Sequence, residues 1–176
     1  MSKYIQLSIV VSFLFLVSAC YQKAPVLDKQ SPQVSVMVSD SRYNSNNAYS
    51  YMLYESNGPR KEAGFVTKEA SANIRAHAAD VGGVKSIVIR AENGTLTPAP
   101  YVGVRSIETS VDGNASIVTI NGDPVHAKTP LEHMVTVTPN GSNEVLVSVS
   151  VQDLGGFSGR SNTTATPEIK VVFSSQ

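Results

Sequence analysis

Few side chains in this 176-residue chain are of types that do chemistry, and they are widely spaced. Three histidines, His77, His126 and His133, fall in separate segments, and none stands at zinc-ligand spacing from another. They read as ordinary strand or surface residues. Serines are abundant, yet no Gly-x-Ser-x-Gly elbow raises one of them as a nucleophile. Asp80 and Asp153 each open an Asp-x-Gly-Gly turn after an alternating segment, and in a sandwich the two turns could lie at one end. Calcium would need about six to eight oxygen ligands, whereas an aspartate that caps its own turn accounts for both residues without an ion. No catalytic set, metal set or cofactor is expected.

Two other features carry potential chemistry. Tyr43, Tyr49, Tyr51 and Tyr54 flank a loop rich in Asn and Ser, and tyrosine offers contact area at small entropic cost. A contact surface is one reading of this group and core packing is the other. The second feature is Cys20, the only thiol in the chain. Lys3, the uncharged apolar run from Leu7 to Val17 and the small residues Ser18 and Ala19 precede it, the three zones of a secretory leader. The run is interrupted by Ser8 and Ser12 and falls short of the ~20 apolar residues that span a bilayer.

The stretch Leu16-Val17-Ser18-Ala19-Cys20 resembles the lipobox of bacterial lipoproteins. That resemblance implies a thiol carrying diacylglycerol, cleavage after residue 19, and a new amino terminus at Cys20 that can itself be acylated. Two or three acyl chains hold a protein on a membrane where a single chain binds only marginally. Tyr21 takes the place of the aspartate that marks inner-membrane retention in enterobacterial lipoproteins, so the implied destination is the outer membrane. Cleavage for simple secretion would instead leave Cys20 as a free thiol in an oxidising compartment, open to unwanted pairing.

The expected organisation follows: a signal peptide over 1–19, the lipidated cysteine and a tether over 20–33, and one domain over 34–176. Lys23, Pro25, Lys29 and Pro32 give the tether its irregular character. The domain is long enough for a sizeable core, and with no second cysteine it must stand on that core alone. Charge is balanced at fourteen residues of each sign over the whole chain. Neither nucleic acid nor an anionic surface is implied as a partner.

The elements that must position these residues read as strands. Tryptophan is absent, and Val, Thr, Ser, Asn and Gly are plentiful, a composition of strands and turns. Val34, Val36 and Val38 alternate with Ser35, Met37 and Ser39. Tyr49, Tyr51 and Leu53 alternate with Ser50, Met52 and Tyr54 until Asn57-Gly58-Pro59 intervenes. Phe65 to Lys68 is short and ambiguous. From Ala70 to Ala79 the alanines permit a helix, but the period of two favours a strand. Val84 to Arg90 places Val84, Ser86, Val88 and Arg90 opposite Lys85, Ile87 and Ile89. Further segments at 101–110, 116–120, 133–138, 144–152 and 168–173 are rich in Val, Ile and Thr. Asn93-Gly94, Asp112-Gly113, Asn121-Gly122 and Asn140-Gly141 punctuate them as turns. Roughly seven to nine short strands so spaced make a sandwich or barrel.

The run from Asn73 to Ile89, a strand ending in Asp80, a glycine turn and a strand opening at Val84, resembles the B and C strands of bacterial Ig-like and cadherin-like domains. Val145 to Gln152, the turn from Asp153 to Ser161 and the segment from Glu168 to Phe173 are similar to their F strand, F–G turn and G strand. The fold expected is therefore all-β, an Ig-like antiparallel sandwich, with no evident place for residues 43–68. The function expected is a non-enzymatic binding or structural module, held to the membrane by lipid on Cys20 and meeting an envelope protein or glycan. An envelope enzyme, or enzyme accessory, whose site is invisible in sequence is the alternative.

Overall fold

The computed structural model describes residues 30–40, 51–100, 105–123, 130–155 and 161–174. The leader at 1–19, Cys20, the tether as far as Lys29, Tyr43, Tyr49 and His126 lie outside them. The described residues form twelve strands: β1 (Gln33–Ser39), β2 (Tyr51–Glu55), β3 (Gly64–Thr67), β4 (Ala72–Ala79), β5 (Val84–Glu92), β6 (Gly94–Pro98), β7 (Ser106–Asp112), β8 (Ala115–Asn121), β9 (Leu131–Pro139), β10 (Glu144–Asp153), β11 (Thr163–Ala165) and β12 (Ile169–Phe173). No helix is present among the described residues.

Hydrogen-bonded neighbours follow the order β2-β1-β4-β9-β6-β8-β5-β10-β12-β3, with β7 added beside β8 and β11 beside β10. The β6–β8 link is a single residue pair, Gly94 with Ala115, so the path folds there into two layers. One layer is β2-β1-β4-β9-β6, and the other is β7-β8-β5-β10-β12-β3. Strands β1, β4, β9 and β6 take the A, B, E and D places of an Ig-type sandwich, and β5, β10 and β12 the C, F and G places. The fold is thus all-β and Ig-like, and the resemblance of 73–89 to B and C and of 145–173 to F and G matches the sheet order. Residues 43–68, which had no evident place, supply β2 as an extra strand outside β1 and β3 as a parallel partner of β12. That parallel pair departs from a wholly antiparallel sandwich.

The core is aliphatic. Val36, Val38, Ile74, Val135 and Val137 from the first layer meet Ile87, Ile89, Val118, Val147 and Val149 from the second, all with no exposed surface. Burying each such side chain stabilises the fold by about 1.5–3 kcal/mol. The alternation read from sequence holds in β1, β4, β9 and β10, whose even or odd positions are buried throughout except at Pro139, the end of β9. The segment 72–79 is a strand, which settles its helix alternative.

Two bulges correct the expected facing elsewhere. Between Val36 and Met37 the β1–β2 register shifts, with Val36 opposite Tyr54 and Met37 opposite Met52. Leu53 is the extra residue of a β-bulge, and it is buried together with Tyr54 instead of opposite to it. In β5 the pairing with β10 shifts at Gln152/Asp153. Ser86 and Ile87 are both inside, so the buried set is Val84 and Ser86, then Ile87, Ile89 and Ala91.

The turns separate into two ends. At one end lie the start of β1, the β2–β3 loop, the β4–β5 turn and the end of β10. At the other lie Asn93 and Gly113, each with φ of 60°, and Gly141 with φ of 74°, a left-handed backbone that Asn and Gly adopt at least cost.

His133 occupies an inward position of β9 at 2% exposure, between the buried Leu131 and Val135. Burial pushes its imidazole below the ordinary histidine range, because desolvation disfavours the charged ring. The folded chain therefore binds a proton there less readily than the unfolded chain. Stability is full above the unfolded value near 6.5 and falls as pH drops below it, with a slope of at most about 1.4 kcal/mol per pH unit from this one site. Urea midpoints measured from pH 7.5 to 5 should decline for the native sequence and flatten in His133→Leu.

Candidate functional site: a polar cleft beside the chain entry

A cleft of about 310 Å³ opens on the outer face of the first layer, lined by Gln33, Val34, Ser35, Glu55, Ser56, Asn57, Gly58, His77 and Ala79. Three strands and one loop build it. Strand pairing sets Ser35 between Glu55 on β2 and His77 on β4, and His77 in turn lies opposite Glu132 on β9. Glu55, Ser35, His77 and Glu132 thus form one row across four strands, on the face away from the core.

The wall of the cleft is the β2–β3 loop, held by its own hydrogen bonds. Ser56 N–H donates to the Val34 carbonyl at 2.8 Å, and Val34 N–H donates to Ser56 Oγ at 2.9 Å. Glu55 N–H reaches the Arg60 carbonyl at 3.0 Å, and Glu62 N–H reaches the Leu53 carbonyl at 2.8 Å. The Lys61 ammonium donates to the Glu55 and Ser56 carbonyls and sits 4.2 Å from the centre of the Tyr54 ring. The loop therefore packs back along β2 and stands over the sheet as a fixed rim.

Ser35, His77 and Glu132 are the residue types of a nucleophile, a base and an orienting acid. Their arrangement does not make them a triad. Among the described residues no hydrogen bond joins Ser35 to His77 or His77 to Glu132, and Glu132 faces Arg75 at 3.6 Å across an exposed ion pair. The cleft is open to solvent, so a nucleophile there would keep its hydration. What the cleft offers is a hydroxyl, an imidazole, amides from Gln33 and Asn57 and the Glu55 carboxylate, a mixed donor and acceptor surface for a polar, hydroxyl-bearing ligand.

A second concavity of about 250 Å³, lined by Gln30, Ser31, Gln33, Ala79, Asp80 and Val81, shares Gln33 and Ala79 with the first. It lies where the chain enters the sandwich. Asn162 Nδ2 donates to the Gln30 carbonyl at 3.3 Å, fixing the entry against the end of β10.

Asp80 and Asp153 both lie at this end, and both are turn caps. Gly82 N–H donates to Asp80 Oδ2 at 2.7 Å. Asp153, with no exposed surface, accepts Gly155 N–H at 2.8 Å and Asn162 N–H at 2.7 Å on Oδ1, and Asn162 Nδ2 at 2.9 Å on Oδ2. Leu154 N–H donates to the Gly83 carbonyl at 2.9 Å and joins the two turns. Among the described residues no three His, Cys, Asp or Glu side chains gather as a metal site would require.

Of the four tyrosines, Tyr51 and Tyr54 lie among the described residues. Tyr54 is 8% exposed, turned inward by the bulge at Leu53, with its ring covered by Lys61. Tyr51 is half-buried, donates its hydroxyl to Glu62 Oε2 at 2.6 Å and packs 6.4 Å from the Phe65 ring centre. The Glu62 hydrogen bond raises its phenol above the ordinary range. Both rings serve packing. Of the cleft residues, sequence singles out His77 alone, and as an ordinary strand or surface histidine, because Ser35 and Glu55 each look like an ordinary outward strand position. Only Asn57-Gly58-Pro59 signalled a turn there.

No family model matches the chain, and no curated protein matches it. Among solved structures it is similar to BcpA, the major pilin subunit of Bacillus cereus, at 10% identity and a TM-score of 0.45, over 82% of this chain and 41% of that one. A variant of the same pilin aligns at 12% identity and a TM-score of 0.46, with the same coverage. It is also similar to a non-cellulosomal cohesin from the hyperthermophilic archaeon Archaeoglobus fulgidus, at 16% identity and a TM-score of 0.40, over 65% of this chain and 88% of that one. The chain spans about two fifths of the pilin's length, and the likeness to all three is one of fold alone.

Proposed function

We propose that this protein is a non-enzymatic envelope module, anchored by lipid on Cys20 after removal of residues 1–19, that holds a glycan or a glycan-bearing envelope component in the Ser35–His77 cleft. The observation that carries the binding reading is the composition of that cleft: hydroxyl, amide, imidazole and carboxylate groups converge on a fixed rim, without a hydrogen-bonded nucleophile and base. The anchor rests on the Leu16-Val17-Ser18-Ala19-Cys20 motif, and Tyr21 supports outer-membrane destination.

Gln30 lies ten positions after Cys20 in sequence, a reach of at most about 35 Å. An anchored module would therefore present its Asp80 and Asp153 end, and the cleft beside it, toward the bilayer. The turns at Asn93, Gly113 and Gly141 would lie farthest from it.

Two measurements test the two parts separately. Cys20→Ser should move the full chain from the membrane fraction to the soluble envelope fraction, and unchanged retention and processing would overturn the anchor. For the cleft, His77→Trp and Asn57→Trp fill the space from opposite sides. Each should weaken retention on immobilised envelope oligosaccharides by about tenfold or more, equal to ~1.4 kcal/mol, with an unchanged urea midpoint. Equal retention by the native chain and both variants would overturn the glycan reading. Ester hydrolysis lost in Ser35→Ala would replace it with the enzyme reading.

A further inference from the structure

The sandwich treats its edges unequally. The outer edge of β2 is covered by residues 60–62, through Glu55 to Arg60, Glu62 to Leu53 and a bridge between Tyr54 and Lys61. Strand β3 has four residues and β11 three, too short to template a partner. Strand β6 ends in Pro98 and donates Leu96 N–H to Ser116 Oγ at 3.1 Å. These are the devices by which folded proteins blunt exposed edges.

Strand β7 carries only the charges of Glu108 and Asp112. It has seven residues, Ser106 to Asp112, without proline, lysine or bulge. Every one of them pairs with β8 on one side, and β8 is its sole strand neighbour among the described residues. The five positions from Glu108 to Asp112 are exposed on both faces. Ile107, Thr109 and Val111 stand opposite Ile120, Val118 and Ser116, of which Ile120 and Val118 are fully buried. Their face is therefore the core face of the layer, continued past the point where the first layer covers it. Ile107 packs against the core, while Val111 is 78% exposed, the most exposed large apolar side chain described.

We propose that β7 is a homodimerisation edge, on which a second copy of this chain adds its own β7 antiparallel across a two-fold axis. Charge selects the register. Apolar faces of the two copies fall on the same side of the joined sheet only when the axis passes through a residue, because a one-residue slip exchanges the faces. An axis at Glu108 sets that carboxylate against its own copy. An axis at Ser110 sets Glu108 against the partner's Asp112. Like charges directly opposite destabilise a pair. An axis at Thr109 avoids both contacts and pairs the whole strand: Ile107 faces the partner's Val111, Glu108 faces the partner's Ser110, and Ser106 faces the partner's Asp112. The same patch serves both subunits, as a two-fold interface requires. The dimer forms whether or not Cys20 carries lipid.

Disulfide trapping tests this in the full chain, purified in mild detergent with Cys20→Ser so that the introduced thiol is unique. In the Thr109-centred pairing the two Thr109 Cα atoms lie about 4.5–5.5 Å apart, within disulfide reach, whereas the two Val111 residues are offset by four positions, about 13 Å. Thr109→Cys should cross-link at least about tenfold faster than Val111→Cys under the same oxidant. The double variant Ile107→Cys with Val111→Cys should cross-link like Thr109→Cys. Circular dichroism melts check that each variant is folded, which exposed positions 109 and 111 favour. Absence of cross-linking in folded Thr109→Cys protein, or equal rates for Thr109→Cys and Val111→Cys, overturns the proposal.

Discussion

Asp153→Ala should lower the unfolding free energy by about 3 kcal/mol or more, read as a shift in urea midpoint at constant m-value. The carboxylate is wholly buried and accepts three hydrogen bonds, from Gly155 N–H, Asn162 N–H and Asn162 Nδ2. Alanine removes the acceptor and leaves those donors inside the turn, each deprived of its partner at about 1–3 kcal/mol, less where water can enter beside Asn162. Asp153→Asn separates charge from shape. Its carbonyl can keep the two bonds on Oδ1, but its amide nitrogen then confronts Asn162 Nδ2 donor to donor, so the loss should be about half that of alanine. Equal midpoints for native chain and Asp153→Ala would mean that the turn does not hold the end of β10. Because Asn162 also grips the Gln30 carbonyl, the alanine variant should further loosen the chain entry, seen as faster proteolysis between residues 23 and 33.

Gly122→Ala is the second large effect, about 1–3 kcal/mol of destabilisation from overpacking. A Cβ at that position would lie 2.5 Å from the Val84 carbonyl oxygen and 3.4 Å from that of Lys85. Both obstacles are backbone atoms of a central strand. Gly122 N–H also donates to Lys85 O at 2.9 Å, so the chain cannot withdraw without breaking the bond that ends β8. Gly113→Ala is the matched control, because nothing lies within 4 Å of its Cβ. Its cost is confined to the left-handed backbone, about 1–2 kcal/mol. A smaller loss at 122 than at 113 would show that the close approach of β8 to Val84 is not maintained in solution.

The parts of this fold legible in sequence are those where a strand has one buried face and an unbroken register. In β1, Val34, Val36 and Val38 alternate against Ser35, Met37 and Ser39, and β4, β9 and β10 repeat the alternation of buried and outward positions. Facing failed at Leu53/Tyr54 and at Ser86/Ile87, since a bulge is set by the neighbouring strand and leaves no local periodicity. Strand β6 was hidden because Asn93 makes the whole turn before it, placing Gly94 in the strand, where a Cβ would strike Val145. The two aspartate turns were legible because an Asx cap is a local interaction. The cleft was not, since Ser35, Glu55 and His77 become neighbours only through a register that spans three strands. Tyr51 and Tyr54 looked like contact residues in composition, but packing against Phe65 and the bulge at Leu53 drew them into the structure.

The pairing of β3 with β12 joins residues far apart in the chain: Ser174 Oγ donates to the Thr67 carbonyl across 107 positions, and Lys170 N–H donates to the Ala63 carbonyl at 2.8 Å. During synthesis β3 emerges early and waits until β12, its one strand neighbour among the described residues, is made. At roughly 5–20 residues per second, that interval lasts several seconds or longer. Throughout it the edge of β3 that Ile169–Phe173 will cover stands open, so this seam is the last of the second layer to close.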